Sequence, residues 1–334
     1  MKGEAHLYGV RHGREVAARI IDGRLEDLFV DTDDPRPGAI FRGKAIRKAG
    51  GQGGMFFETP FGNAYLRQAA HISLGEHHLL QITGFAEPGK ALPVTTRLVF
   101  KGRHAMVTPG APGINVARSI RDEEARVRLL EIAHEFSGDL GDCGLILRTQ
   151  SASAEDDALR GDLEAQLDVA LAVLGDTDQS VEHLVDGPGA ADLAYREWPD
   201  APRDGGELDE YLTYAMARDF PLPQGGSLSV ETTRALVAID VNTGGDTSPA
   251  AGLNANIAAA RDIPRLLRLK GLGGQVVVDF APMPKKNRRA LEQALTKALR
   301  ADQVETAMVG WTTMGLFELQ RKRERWPLAD LLRG

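Results

Sequence analysis

Two apolar runs in the last third of the chain, Ala235-Leu-Val-Ala-Ile-Asp240-Val-Asn242-Thr243 and Gly274-Gln-Val-Val-Val-Asp279-Phe280, each end on an aspartate. Both read as buried-type strands, and the 39 residues from one aspartate to the other include a stretch with helical spacing. That order of elements can bring two carboxylates together at adjacent strand ends. Such a pair suits Mg²⁺, which is commonly held by one or two carboxylates and keeps waters for substrate phosphates; Mn²⁺ is the alternative. Asn242 lies two residues beyond Asp240 and so shares its strand face. Taken singly, each aspartate is also a common turn former at a strand end.

The chain has 334 residues, 43% of them hydrophobic, enough for a substantial core and two or three domains. No apolar run approaches the ~20 residues that span a bilayer, and no signal-peptide core follows Met1, so the expected location is cytoplasmic, with no membrane partner. Cys143 is the only cysteine, which rules out an intrachain disulfide framework and a cysteine-rich zinc site. The net charge of −7 is unevenly spread: residues 151–210 hold 17 acidic and 3 basic residues, leaving the remainder net positive. Short basic groups such as Lys285/Lys286/Arg288/Arg289 and Arg321/Lys322/Arg323/Arg325 therefore permit a phosphate-binding surface.

Residues 15–30 alternate around Asp22-Gly23, a strong hairpin signal. Short strands punctuated by glycine fill residues 39–100, the last of them Pro93–Phe100, and predict a small β-barrel. Helices are expected over Asp122–Phe136, over Glu155–Leu174 with Leu171 and Leu174 on its apolar stripe, near Leu208–Asp219 and over Arg288–Leu299. The acidic stretch 175–209 reads as loop, including a turn at Trp198–Pro202, and Pro221–Gly226 as a boundary. Pro264 should kink or break the helical stripe between the two aspartates. The eight histidines lack ligand-like spacing around the aspartates.

Over Gly225–Arg323 the chain resembles the ribonuclease E/G family of bacterial endoribonucleases, on Ala238-Ile-Asp240-Val-Asn242-Thr243-Gly244, on Asn254-Ala-Asn256 with Ala259 to Gly274, and on Val277-Val-Asp279-Phe280. Weaker similarity covers Arg14–Thr32 and Phe41–Arg47. The resemblance implies a multidomain α/β fold: RNase-H-like strands (1–35), an inserted OB-type RNA-binding barrel (36–96), a 5′-phosphate sensor region (97–180), an acidic linker with the rest of the RNase-H-like part (181–220), and a DNase-I-like catalytic subdomain (221–334). It implies RNA stacking on Phe56 and Tyr65, a lysine near the scissile site at Lys90, and a 5′-monophosphate pocket at Gly102, Met106, Arg118, Arg148 and Thr149. The other reading of Phe56 and Tyr65 is that both fill the barrel core.

The implied activity is Mg²⁺-dependent cleavage of single-stranded RNA to 5′-phosphate and 3′-hydroxyl ends, with Asp240, Asn242 and Asp279 catalytic and the two aspartates on the metal. Two other readings stay open: a non-catalytic RNA-binding protein of the same fold, and a metal-dependent DNA nuclease or phosphodiesterase. The family's zinc-link cysteine motif is absent, so no zinc is expected, and any homodimer would use apolar residues such as Trp326, Leu328, Leu331 and Leu332. Pro282 and Glu305 depart from the family pattern near the expected catalytic residues.

Overall fold

The computed structural model describes residues 3–50, 53–86, 89–199, 203–204, 207–246 and 248–332. The chain forms two compact units, one of residues 1–31 with 202–334 and the other of residues 32–201.

The first unit opens with an antiparallel meander, Glu4–Arg11, Arg14–Ile21 and Arg24–Val30. Asp22 and Gly23 both take positive φ, as the tight turn requires, and so do His12 and Gly13 at a first hairpin the sequence pattern did not suggest. A six-stranded sheet follows, in the order Asp219–Pro221, Ser227–Thr232, Val237–Asn242, Gly274–Asp279, Phe317–Arg321 and Thr306–Trp311. Only the third and fourth strands run parallel, joined through the helix Pro249–Leu269. That parallel pair is not buried on both sides. Ile239, Val241, Val276 and Val278 enter one core cluster with Ile263, Leu267, Leu291 and Leu295, whereas Asp240, Asn242 and Asp279 are exposed. An alternation of period two thus runs beneath what reads in sequence as a continuous apolar stretch.

Pro264 does not break the helix Pro249–Leu269. Its neighbours Ile263, Leu266 and Leu267 are fully buried, and that burial outweighs the roughly 3 kcal/mol a mid-helix proline costs. The helix Arg288–Ala301 follows its predicted span to within two residues.

In the second unit, five strands close into a barrel: Ile40–Lys48, Met55–Thr59, Gly62–Leu66, Leu92–Thr95 and His77–Ile82, the last pairing back onto the first. The chain is thus mixed α/β with a closed five-stranded, OB-like barrel. Glu182–Val185 adds one more strand to the first barrel strand. The predicted strand 93–100 is split, because the Gln81 side chain bonds both the N–H and the C=O of Val99 and turns that segment away from the ladder. A four-stranded sheet, Gly113–Val116, Cys143–Leu147, Ala105–Pro109 and Phe100–Lys101, shares a core with the helices Glu123–Glu135 and Asp156–Gly175. In the second helix the buried stripe runs Leu159, Leu163, Leu167, Ala170, Val173, and Leu171 and Leu174 face solvent.

The acidic stretch read as loop holds the helix Ala190–Glu197, and the helix expected near Leu208–Asp219 spans Leu208–Met216. Of the turn expected at Trp198–Pro202, residues 200–202 lie outside the described residues. No helix of the described residues is long and apolar enough to cross a membrane.

Candidate active site

Asp240 and Asp279 are register partners on the parallel strands, so the two carboxylates leave one edge-to-edge row of the sheet on the same face. Adjacent strands lie about 4.8 Å apart, a spacing at which two carboxylates can share one divalent ion. Asn242 donates from Nδ2 to Oδ2 of Asp240, a bond that holds the carboxylate in one orientation. Among the described residues, no group of three or more His, Cys, Asp or Glu is placed to hold an ion. The two-carboxylate donor set still fits Mg²⁺, which takes its remaining ligands from water and phosphate.

Both strand ends are held from behind by close backbone approaches. The amide of the fully buried Asn256 donates from Nδ2 to the carbonyl of Ala281 at 2.9 Å, and its Oδ1 accepts from the Ala281 N–H at 2.9 Å. One helical turn earlier, a Cβ at Gly252 would collide with the Pro282 carbonyl. The helix Pro249–Leu269 therefore grips the two residues that follow Asp279-Phe280. At the other strand, Gly226 meets the Asn242 carbonyl and Gly244 meets the Gly225 carbonyl so closely that neither tolerates a side chain. Asn256 carries no sequence-assigned role. Its signal was present all the same: an amide among alanines on the buried face of an amphipathic helix.

The two departures from the family pattern separate in space. Pro282 belongs to the segment gripped by the helix. Glu305 does not border the carboxylates: it precedes Thr306, whose register partner Arg321 pairs in turn with Gly274 at the opposite end of the sheet, and it pairs with Lys322 at 2.5 Å.

On the barrel, Phe56 and Tyr65 are cross-strand partners with ring centroids 5.1 Å apart, and the Arg47 guanidinium lies 4.0 Å from the Phe56 centroid. Both rings are half-exposed, while Met55, Phe57, Ala64 and Leu66 fill the barrel interior. The core-filling reading of these two rings is thereby overturned. Gly54 makes room for the Tyr65 ring, since a Cβ there would clash with it. Lys90 is exposed, two residues before the strand Leu92–Thr95.

The five residues expected to form a 5′-phosphate pocket all lie on or beside the four-stranded sheet. Met106 pairs with Lys101 and Ile146, the Thr149 hydroxyl meets Ser119 at 2.7 Å, and Arg118 precedes Ser119. Arg148 is heavily engaged. Its Nη1 donates to the carbonyls of Gly102, Arg103 and Arg196, and its Nη2 donates to Glu197 at 2.8 Å. Burial works against the Glu197 charge, yet Lys101 at 2.7 Å and Arg148 hold its carboxyl below the usual range. Asp162 accepts from the N–H groups of Arg103, His104 and Ala105, and Gly102 has no room for a Cβ beside that carboxylate.

Of the apolar tail residues, Leu328 is buried in the chain's own core, Leu332 packs against that core, and Trp326 and Leu331 are half-buried.

A model of the ribonuclease E/G family matches residues 99–189 and 203–324, spans that include Asp240, Asn242, Asp279 and Asn256. Ribonuclease G of Escherichia coli (strain K12) is 25% identical across 98% of this chain and 81% of its own length. Ribonuclease E of Nostoc sp. is 26% identical across 95% of this chain and 56% of its own. Ribonuclease E of Escherichia coli (strain K12) is 28% identical across 75% of this chain and 28% of its own. With the paired aspartates, their supporting asparagine and the helix that braces them all inside the matched spans, the chain belongs to the ribonuclease E/G family.

Proposed function

We infer that this member of the ribonuclease E/G family is an endoribonuclease, and we propose that it cuts single-stranded RNA at the Asp240–Asp279 strand ends to leave 5′-phosphate and 3′-hydroxyl ends. The observation that carries this reading is the register pairing of two exposed aspartates beside Asn242. In the same reading, the meander of the first 31 residues is RNase-H-like and the six-stranded sheet with its helices is a DNase-I-like subdomain.

Asp240 and Asp279 would hold Mg²⁺ or Mn²⁺, and the bound ion would supply Lewis-acid polarisation of the scissile phosphate and an acidified water. Asn242 orients Asp240, and Asn256 and Gly252 fix the backbone that carries Asp279. Phe56 and Tyr65 offer ring faces on which bases of any sequence can stack, with Lys90 and Arg47 supplying positive charge. A preference for a 5′-monophosphate belongs to the same proposal. The phosphate would take the place at Arg148 that Glu197 occupies.

Incubation of the chain with AU-rich single-stranded RNA, bearing either a 5′-monophosphate or a 5′-hydroxyl, with and without Mg²⁺, tests this function. Asp240→Asn and Asp279→Asn should each abolish Mg²⁺-dependent cleavage while the fold and most of the RNA affinity persist. Undiminished cleavage by either variant would sink the two-carboxylate site.

A further inference from the structure

At the opposite end of the six-stranded sheet from Asp240 and Asp279 lies a cavity of about 360 Å³. Its walls are the turn leading into Val237, the segment Lys270–Gly273 just before the Asp279 strand, and residues of the tail between Arg323 and Asp330. Arg218, Arg234, Lys270, Arg323 and Arg325 line it, against the single carboxylate of Asp330. The rest of the lining is largely apolar, with Val230, Leu236, Leu272 and Leu328 among it.

The cations are not equally matched. Arg218 pairs with Asp219 at 2.8 Å and Glu231 at 3.4 Å, and Arg325 pairs with Asp27 at 2.6 Å. Lys270 and Arg234 pair with no carboxylate among the described residues. The Lys270 ammonium reaches the Met216 carbonyl at 3.4 Å and stands 5.3 Å from the Phe220 ring centroid. Burial alone pushes its pKa down to about 8. A half-buried ammonium with no counter-charge is a standing cost to the fold, and such groups mark places where a ligand supplies the missing charge. The wall that carries it is firm: Gly271 packs against the Trp326 carbonyl and Gly273 against that of Lys322, too closely for any side chain.

We propose that this cavity binds a phosphate-bearing ligand of the size and polarity of a nucleoside monophosphate, its phosphate paired with Lys270 and Arg234 and its base set against the Leu236, Leu272 and Leu328 side. The volume is in the range of small-molecule sites, and the lining divides into the cationic and apolar parts that such a ligand needs. A free mononucleotide and a nucleotide within an RNA chain carry the same chemistry.

Calorimetric titration of the intact chain without divalent metal, using UMP, AMP, uridine and hexauridylate as probes, tests this separately from cleavage. A mononucleotide should bind, uridine should bind at least about tenfold more weakly, and Lys270→Gln should weaken the mononucleotide by about tenfold or more. Arg234→Ala should do the same, and because Arg234 is exposed that variant does not endanger the fold. Asp240→Asn should leave the affinity unchanged. Hexauridylate binding that depends on Lys270 and Arg234, with no binding of UMP or AMP, would keep the site and assign it to RNA. Binding of none of the phosphate-bearing probes, binding insensitive to both substitutions, or uridine binding as tightly as UMP would each overturn the proposal.

Discussion

Asn256 shows how much the pairing of two exposed carboxylates rests on a buried residue behind them. Its two hydrogen bonds satisfy both backbone groups of Ala281, which is itself buried, two residues beyond Asp279. Asn256→Ala leaves a buried N–H and a buried C=O without partners and should destabilise the chain by about 2–4 kcal/mol. It should also lower kcat on RNA by roughly tenfold or more, with KM little changed, because the RNA-contacting surface is untouched while the reacting geometry loosens. Steady-state kinetics below the variant's melting temperature check this, and an unchanged kcat would reduce Asn256 to a packing residue. Asp240, Asn242 and Asp279 were legible in the sequence because strand periodicity puts i and i+2 on one face. Asn256 left a weaker signal, an amide on the buried face of an amphipathic helix, with Asn254 two residues away as a rival that only the bonds to Ala281 set aside.

At the level of elements, legibility followed the strength of local chemistry. The Asp22-Gly23 hairpin and the helix Glu123–Glu135 appear where backbone and periodicity place them. The split of the strand at Val99 could not be read, because it depends on Gln81, a residue eighteen positions away. The unbroken helix at Pro264 has the same origin, tertiary burial overriding local propensity. In the barrel, two neighbouring strands present Phe56 and Tyr65 outward while the residues on either side of each fill the interior. Phe56→Ala and Tyr65→Ala should therefore each weaken single-stranded RNA binding by about 1–3 kcal/mol, with thermal stability little altered. Filter binding and a melting curve on the same preparations check both halves. A large fall in stability with no loss of affinity would return the rings to a structural role.

Across the first unit, the residues that join distant parts of the chain are charged. Asp27 of the first meander pairs with Arg325 at 2.6 Å and Arg268 at 3.3 Å, and Arg321 pairs with Asp302 at 2.7 Å. Burial pushes the Asp27 carboxyl up, but Arg325 and Arg268 prevail and hold it below its ordinary 3.8. Its folded pKa is therefore depressed, so its contribution is present above about pH 4 and is lost as pH falls through the lower folded value. Asp27→Asn should cost about 3–5 kcal/mol at pH 7, and the gap from the unaltered chain should narrow in denaturant titrations carried below pH 4. A gap independent of pH would show that the pairing charge is not what stabilises. None of this network was legible from sequence, because its members lie up to 298 positions apart.

The same unit is built from residues 1–31 and 202–334, on either side of a complete second unit. During synthesis its opening strands emerge with their neighbours still untranslated. At about 5–20 residues per second, the 170 residues between the two parts hold them waiting for roughly 10–30 s. Throughout that interval the outer strand Glu4–Arg11 has an open edge, on which Arg203–Asp204 will later pair. The barrel unit, complete by residue 201, is free to fold before the first unit receives its second part, so strands made ahead of the barrel are finished only after it, and these waiting hairpins are where a ribosome-bound chaperone would have most to do.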